Sequence, residues 1–157
     1  MASPTGSFSV GLISDTHGLL RPEALEALRG SRYIVHAGDI GDPAILQALA
    51  RLAPVTAVRG NNDTGSWARS LGEHAVLEAG GRRIFVLHDL NTLELDPAAA
   101  GFDAVVAGHS HRPGKQRRGG VLYLNPGSAG PRRFGLPVSL GRLVIRRSGM
   151  TCRLMEI

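Results

Sequence analysis

The stretch SVGLISDTHG, residues 9–18, decides which fold this chain can adopt. Its apolar part, residues 10–13, has the length of a buried strand and leads directly to Asp15 and His17. Side chains two residues apart in extended backbone point to the same side, so Asp15 and His17 can face one site. A turn aspartate beside an exposed histidine has the same local sequence, and this segment alone leaves both interpretations open.

Four further apolar runs end in the same way. Residues 33–37, 55–58, 84–87 and 104–107 each have the pattern of a strand, and polar side chains follow each run. The candidate ligands after these runs are Asp39, Asn61, His88, His109 and His111. Ends of strands that meet at one edge of an α/β sheet form the crevice in which such folds bind ligands. Carboxylate, amide and imidazole donors together suit first-row divalent metals better than calcium.

With Asp15 and His17, these residues make seven candidate ligands for two metal ions. Asp39 is the candidate bridge because a carboxylate has two oxygens. The candidate catalytic residues are Asp39, Asn61 and His109. Seven protein ligands leave coordination positions free for water and substrate, which is typical of a catalytic metal site rather than a structural one. Two cations about 3.5–4 Å apart can hold hydroxide and stabilise a phosphoryl group during in-line displacement.

The remaining polar residues near these run ends are predicted to support the site or the fold. Asn62 and Asp63 are expected to orient ligands or loop amides, although GNND (60–63) is also ordinary turn chemistry. His36 is predicted to be packed in the interior or to support a ligand, and His74 is predicted to be exposed.

The order of elements indicates an α/β fold with two packed sheets and helices outside. Residues 22–29 begin with proline and stop at Gly30, and Asp42-Pro43 caps a second helix with an apolar face. Strand–helix–strand order implies parallel pairing with right-handed crossovers. Residues 75–77 and 83–87 predict a hairpin, and residues 96–101 predict a short helix. Three more strands are predicted at 121–124, 138–145 and 150–155.

Composition is that of one ordinary globular domain, predicted over 9–157 after a flexible tail at 1–8. No apolar run reaches the ~20 residues that span a bilayer. The single cysteine, Cys152, excludes an internal disulfide, and a cytoplasmic location is expected. The net charge of +5 fits a solvated surface or a patch that attracts a phosphate-bearing substrate. Aromatic residues are scarce, so nucleic acid is not indicated as a partner. An oligomer is compatible with the sequence.

These blocks, in this order, resemble the calcineurin-like metallophosphoesterase superfamily, in particular its small single-domain bacterial and archaeal phosphodiesterases. The resemblance is carried by SDTHG (14–18), HAGD (36–39), GNND (60–63), GHSH (108–111) and NPGS (125–128). It implies an αββα four-layer sandwich of two mixed sheets flanked by helices, with a dinuclear metal site at one sheet edge. It places Asn125 near that site. One ion would be held by Asp15, His17, Asp39 and His111, and the other by Asp39, Asn61, His88 and His109.

The function that follows is a metal-dependent phosphoesterase, most specifically a phosphodiesterase, acting on a small-molecule ester through hydroxide activated by two metals. Manganese is the expected metal, and iron, zinc, nickel and cobalt suit the same donors. The alternatives are a phosphomonoesterase or nuclease with the same centre, and a non-catalytic scaffold like the retromer subunit that shares the fold.

The chain departs from the family pattern at two positions. Many members have a histidine, proposed to protonate the leaving group, where this chain has Asn62, which cannot act as a general acid. Esters with good leaving groups, such as nitrophenyl diesters, are therefore the expected substrates. Asp89 stands where glycine is common. The sequence does not assign roles to Asp89, Arg112, Arg132 or Arg133.

Overall fold

The computed structural model describes residues 6–157 and arranges them as two facing five-stranded sheets. Two short 3-10 helices, Ser66–Ser70 and Leu90–Thr92, lie in the connections. The other elements are β1 (Phe8–Ile13), α1 (Pro22–Leu28), β2 (Tyr33–His36), α2 (Pro43–Ala50), β3 (Val55–Ala57), β4 (His74–Ala79), β5 (Arg82–Leu87), β6 (Ala104–Val106), β7 (Gly114–Arg118), β8 (Val121–Asn125), β9 (Ser139–Arg146) and β10 (Gly149–Glu156).

The first sheet has the strand order β10-β9-β1-β2-β3. β1, β2 and β3 are parallel, β9 pairs with β1 in the antiparallel direction, and β10 pairs antiparallel with β9. Helices α1 and α2 follow β1 and β2 and pack on the outer face of this sheet, where Leu28 and Leu49 join Ile13 in one apolar cluster. Parallel pairing brings the carboxyl ends of these three strands to the same edge.

The second sheet has the order β4-β5-β6-β8-β7, with β5, β6 and β8 parallel. β4 forms the predicted antiparallel hairpin with β5. The outer face of this sheet is covered by Leu90, Leu93 and Phe102 from the connection between β5 and β6. The predicted pair of mixed sheets is therefore confirmed, but both α-helices of the described residues lie on the first sheet.

One local prediction needs correction, and one strand was not predicted. The predicted helix at 96–101 is wrong: the segment makes one turn, in which the Asp96 side chain accepts from the amides of Ala98 and Ala99. Gly101, at φ +83°, ends that turn before a helix can extend. Strand β7 was not predicted, because it is mostly exposed and its sequence, GKQRR, has no apolar face.

The main core lies between the two sheets and includes Val10, Leu12, Val35, Ile84 and Val106. Facing apolar surfaces of two sheets bury each other in this way in sandwich folds. Of the predicted tail, residues 1–5 lie outside the described residues, and β1 already begins at Phe8, whose ring packs edge-on against Tyr33. No helix within residues 6–157 has the length and apolar character required to cross a membrane.

Candidate metal centre

Five of the seven candidate ligands lie in left-handed backbone. The φ angles are +54° at Asp15, +46° at His17, +56° at Asp39, +72° at His109 and +62° at His111. Residues other than glycine seldom adopt this region, and each such strained position costs on the order of 1–3 kcal/mol. The loops after the strands thus hold these residues in backbone conformations that an unconstrained chain would rarely adopt.

Asp15 is buried completely at the end of β1, and its two carboxylate oxygens differ. Oδ2 accepts a hydrogen bond from the Ser14 hydroxyl at 2.6 Å and one from the amide of His109 at 3.1 Å. Oδ1 has no hydrogen-bond partner within residues 6–157. Burial raises the pKa of Asp15 above its ordinary value, because an ionised carboxylate loses hydration there. Such an oxygen needs a positive partner.

Three imidazole nitrogens surround this unpaired oxygen. The Nε2 atoms of His17, His88 and His111 lie 3.7, 3.9 and 3.4 Å from Asp15 Oδ1. The Nε2 atoms of His17 and His111 are 3.3 Å apart, so two ring nitrogens converge beside the same carboxylate oxygen. Burial lowers the pKa of His17, which keeps that ring neutral and able to bind a metal.

Asp39, at the end of β2, contacts an imidazole on each side. Its Oδ2 lies 3.7 Å from His17 Nε2 and 3.3 Å from His88 Nε2. Asn62 fixes the carboxylate, because its amide donates to Oδ1 at 2.9 Å and its side-chain nitrogen donates to Oδ2 at 3.0 Å. Burial acts to raise the pKa of Asp39, but the hydrogen bonds from His88 and Asn62 outweigh it and hold the pKa well below the usual range.

His88 and His109 form a second pair of facing rings. His88 Nδ1 donates to the carbonyl of Ala37 at 2.7 Å, which ties the two sheets together and leaves Nε2 directed at the site. His109 Nδ1 lies 3.3 Å from His88 Nε2. The other nitrogen of His109 faces the Asp89 carboxylate at 3.9 Å, so Asp89 contributes negative charge beside the site.

His36 is fully buried behind the ligands rather than among them. Its Nε2 donates to the Thr16 hydroxyl at 3.0 Å, that hydroxyl donates to the Ile40 carbonyl at 2.8 Å, and the Gly38 amide donates to His36 Nδ1 at 3.1 Å. Burial lowers the pKa of His36 to about 3, so the ring is neutral. His74 is exposed and stacks on Phe85.

Asp63 and Asn125 bind loop atoms. The Asp63 carboxylate accepts from the amides of Ile40, Gly41 and Gly60, at 2.9 to 3.1 Å, and so joins the loop after β2 to the loop after β3. Asn125 donates to the Gly108 carbonyl at 3.1 Å and accepts from the Gly127 amide at 2.9 Å. Both side chains hold the loops that carry candidate ligands.

Replacing Asp63 with alanine is expected to destabilise the protein by roughly 3 kcal/mol, because three backbone amides, two of them on buried residues, lose their acceptor. For a chain of this size that corresponds to a fall in melting temperature of very roughly 10 °C. Thermal unfolding followed by circular dichroism measures the change. Asp63→Asn keeps one acceptor oxygen and should fall between the two, whereas alanine at the exposed neighbour Thr64 should change little. Equal melting temperatures for Asp63→Ala and Thr64→Ala would refute this role of Asp63.

The structure thus brings together six of the seven candidate ligands. Two compact groups have donor atoms within 4.8 Å of one another: Asp15 with His17 and His111, and Asp15 with Asp39 and His88. Asn61 is exposed and lines the same cleft as His88 and His109. The unpaired Asp15 oxygen and the converging imidazole nitrogens fit divalent cations. Asp15 is common to both groups, whereas Asp39 was the expected shared ligand.

Three further residues support the site in roles that the sequence did not assign, although Ser14 and Ser128 lie in the segments SDTHG and NPGS that carry the family resemblance. Ser14 orients the Asp15 carboxylate, and Ser128 donates to the Asp15 carbonyl at 2.9 Å. The Phe134 ring lies edge-on to His111, with 5.7 Å between ring centroids. A serine before an aspartate and an aromatic in a glycine-rich loop have no distinctive pattern, and only the tertiary structure places them at the site.

A small α/β sandwich with paired histidines and aspartates at one sheet edge defines a class of metal-dependent phosphoesterases. The profile of the calcineurin-like phosphoesterase superfamily domain matches residues 8–148. This chain belongs to that superfamily. The predicted enzyme class, a hydrolase of phosphate esters that uses divalent metals, is confirmed by this membership.

Several named proteins are similar to the chain. A probable metallophosphoesterase of Methanothermobacter thermautotrophicus is 34% identical over 131 residues, 76% of each chain. The phosphodiesterase YfcE of Escherichia coli is 32% identical over 161 residues, covering 83% of this chain and 84% of that one. A solved archaeal phosphodiesterase superposes with a TM-score of 0.79 at 23% identity, over 95% of this chain and 99% of that one. Vacuolar protein sorting 29 of Cryptosporidium parvum gives 0.76 at 19% identity, over 96% and 98%. The last two likenesses establish the fold alone.

Proposed function

We propose that this protein is a phosphodiesterase that uses two divalent cations, with manganese as the resident metal. The proposed ligands are Asp15, His17, Asp39, Asn61, His88, His109 and His111. Asp39 remains the proposed bridge, because its Oδ2 contacts one imidazole of each predicted set, His17 at 3.7 Å and His88 at 3.3 Å. The cytoplasmic location also remains a prediction.

One observation carries the proposal: the unpaired Oδ1 of Asp15. This oxygen is buried with no hydrogen-bond partner in the described part of the chain, and three imidazole nitrogens point to it from 3.4 to 3.9 Å. A folded protein rarely leaves a buried carboxylate oxygen without a partner, because the cost of removing it from water is large. Cations shared with the surrounding histidines would remove that cost.

The chain's own residues then have separate tasks. Divalent cations, when bound, supply Lewis-acid activation of water and of the phosphoryl group. Asp39 stays ionised and is held by Asn62, so its charge is available to the site at all ordinary pH values. Asn61 and His109 are the proposed catalytic residues on the solvent-facing side of the site, where the His109 side chain is 44% exposed. Both residues line a cleft of about 420 Å³, which is also lined by Arg59. This cleft is the proposed place for the ester.

We propose diesters with good leaving groups as the preferred substrates, and the position of Asn62 accounts for the leaving-group part of this preference. Its side chain donates to Asp39 and so serves that carboxylate rather than the leaving group. Without a proton donor at that position, alcohols that leave readily as anions are favoured. The similarity to proteins named phosphodiesterases, one of them 32% identical, supports the same preference.

The test is hydrolysis of bis-p-nitrophenyl phosphate by the Mn²⁺-loaded protein, with p-nitrophenyl phosphate as the monoester control. We expect the diester to be turned over faster, and the metal content of the protein as purified checks the identity of the metal. Faster turnover of the monoester, or of oligonucleotides, would replace the phosphodiesterase assignment with one of the two enzymatic alternatives. If the metal-loaded protein hydrolysed none of these esters, the result would favour the scaffold hypothesis.

A further inference from the structure

The segment PRRFGL, residues 131–136, forms a strained turn beside the candidate metal centre, and we call it the 131–136 loop. The amide of Leu136 donates to the carbonyl of Arg133 at 3.0 Å, closing a turn around Phe134 and Gly135. Both central residues have positive φ, +58° and +66°. Positive φ at both positions is the signature of a type I′ turn, which favours Asn-Gly and disfavours a bulky aromatic first residue. Phenylalanine at position 134 therefore destabilises the turn relative to asparagine or glycine.

The side chain of Phe134 gains little from burial to offset that cost. It is 79% exposed, more than any other large apolar residue described as exposed. Its contact with the site is through His111, whose ring it meets edge-on at 5.7 Å and 62°. One face of the phenyl ring is thus presented to solvent directly beside a candidate ligand. A strained, exposed aromatic residue next to a reaction centre points to a role in binding.

The base of the loop is attached firmly to the strand that carries Asp15. Ser128 donates to the Asp15 carbonyl, and the Ala129 amide donates to the Ser14 carbonyl at 3.0 Å. A Cβ atom on Gly130 would collide with the Thr16 carbonyl, so the backbone segments are in close contact. The distance between Phe134 and the metal centre is therefore set by the fold rather than by a free loop.

Arg133 adds a positive charge on the same loop. Its side chain is exposed and forms no salt bridge with any residue in 6–157. Arg133 directly precedes Phe134, whose ring contacts the candidate ligand His111. Arg132 is also exposed and stands one residue further from Phe134, so it serves as the comparison. A free guanidinium near the ligands can donate to oxygens of a phosphate.

We propose that the 131–136 loop is the specificity element of the site, with Phe134 stacking on an aryl group bonded to the ester oxygen and Arg133 donating to a phosphoryl oxygen. The substrate class is aryl phosphodiesters and related aryl phosphate derivatives. Phe134 contacts His111 directly, so an aromatic group stacked on its exposed face would lie beside the candidate ligands. This inference rests on the proposed phosphodiesterase function and adds the identity of one of the two alcohol groups of the diester, which is aromatic.

Binding of two phosphonates tests the inference independently of turnover. Calorimetric titration of Mn²⁺-loaded protein with phenylphosphonate and methylphosphonate compares an aryl and an alkyl group on the same anion. Phe134→Ala should weaken phenylphosphonate roughly 3- to 10-fold and leave methylphosphonate unchanged, as expected for loss of one aromatic contact. Arg133→Gln should weaken both probes equally, whereas Arg132→Gln should weaken neither. Val76→Ala, at another exposed apolar position, is the control for a general surface effect.

A further variant separates binding from folding. Asn tolerates positive φ, so Phe134→Asn should raise the melting temperature by about 2–4 °C per kcal/mol of strain released, while binding phenylphosphonate as weakly as Phe134→Ala. Equal losses of affinity for both phosphonates in Phe134→Ala would overturn the stacking role. An altered sedimentation coefficient of Phe134→Ala with unchanged affinities would also overturn it, and would identify the loop as an interface between copies of the chain. In either case the wild-type protein would still hydrolyse bis-p-nitrophenyl phosphate faster than the monoester, so the proposed function would stand while this inference fails.

Discussion

Replacing Asp39 with asparagine is expected to lower Mn²⁺-dependent hydrolysis of bis-p-nitrophenyl phosphate by roughly 10³-fold or more. The change keeps the shape of the side chain but removes the negative charge between the imidazoles of His17 and His88. The amide nitrogen would also face one of the two donors of Asn62, so one of the two hydrogen bonds that now fix the carboxylate would be lost. Initial rates over a range of Mn²⁺ concentrations measure the loss, and added metal should restore only part of the activity.

Asp42→Asn is the matched control for this substitution. Asp42 is exposed and caps α2 by accepting from the Ala44 amide at 2.9 Å, a task that asparagine performs equally well. Activity and melting temperature of Asp42→Asn should therefore stay at wild-type values. An Asp39→Asn protein that retained more than a tenth of wild-type activity would remove Asp39 from the proposed ligand set.

Replacing Asp15 with asparagine is expected to change stability in opposite directions with and without metal. In metal-free protein near neutral pH, the ionised Asp15 carboxylate is fully buried and has lost its hydration, which destabilises the folded state. The same burial raises the pKa of Asp15. Asparagine has no charge to desolvate, so the metal-free variant should melt at a higher temperature than the wild type. With Mn²⁺ at a hundredfold excess over its dissociation constant, the wild type should gain about 2.7 kcal/mol per site. The variant should lose most of that gain.

Differential scanning calorimetry with EDTA and then with Mn²⁺ measures both effects. For a chain of this length, the metal-dependent rise in the wild type should be roughly 5–10 °C for one occupied site. Ser14→Ala removes the hydroxyl that donates to Asp15 Oδ2 but leaves the unpaired Oδ1 in place, so it should keep most of the metal-dependent rise. An Asp15→Asn protein with an unreduced rise would show that the cation binds elsewhere.

The strands of the two sheets were predictable where they are buried. β2 and β5 contain the apolar runs YIV (33–35) and IFVL (84–87), and buried runs of this kind between turn residues favour a central strand. β7 was not predictable, because an exposed edge strand needs only a partner's hydrogen bonds and no apolar face. The segment 96–101 has the start and stop signals of a helix, but six residues are too few to overcome the cost of helix nucleation.

The candidate ligands were predictable as residue types at the ends of strands, but their geometry was not. Asp15 and His109 are 94 positions apart, and the bond between them depends on two sheets meeting at one edge. The contact between Asp89 and His109 depends likewise on the conformations of two loops. Patterns along the chain report on local structure, whereas these contacts are set by packing between distant segments.

The left-handed backbone at Asp15, His17, Asp39, His109 and His111 limits how this centre can be altered by protein engineering or by natural sequence drift. Of the residue types that bind metals, aspartate, asparagine and histidine are the ones enriched in this backbone region. Exchanges within that group leave the loops intact and change only the charge and softness of the donors. Glutamate or cysteine would strain the backbone before any metal bound. The choice of metal in this fold is thus open to tuning through three amino acids.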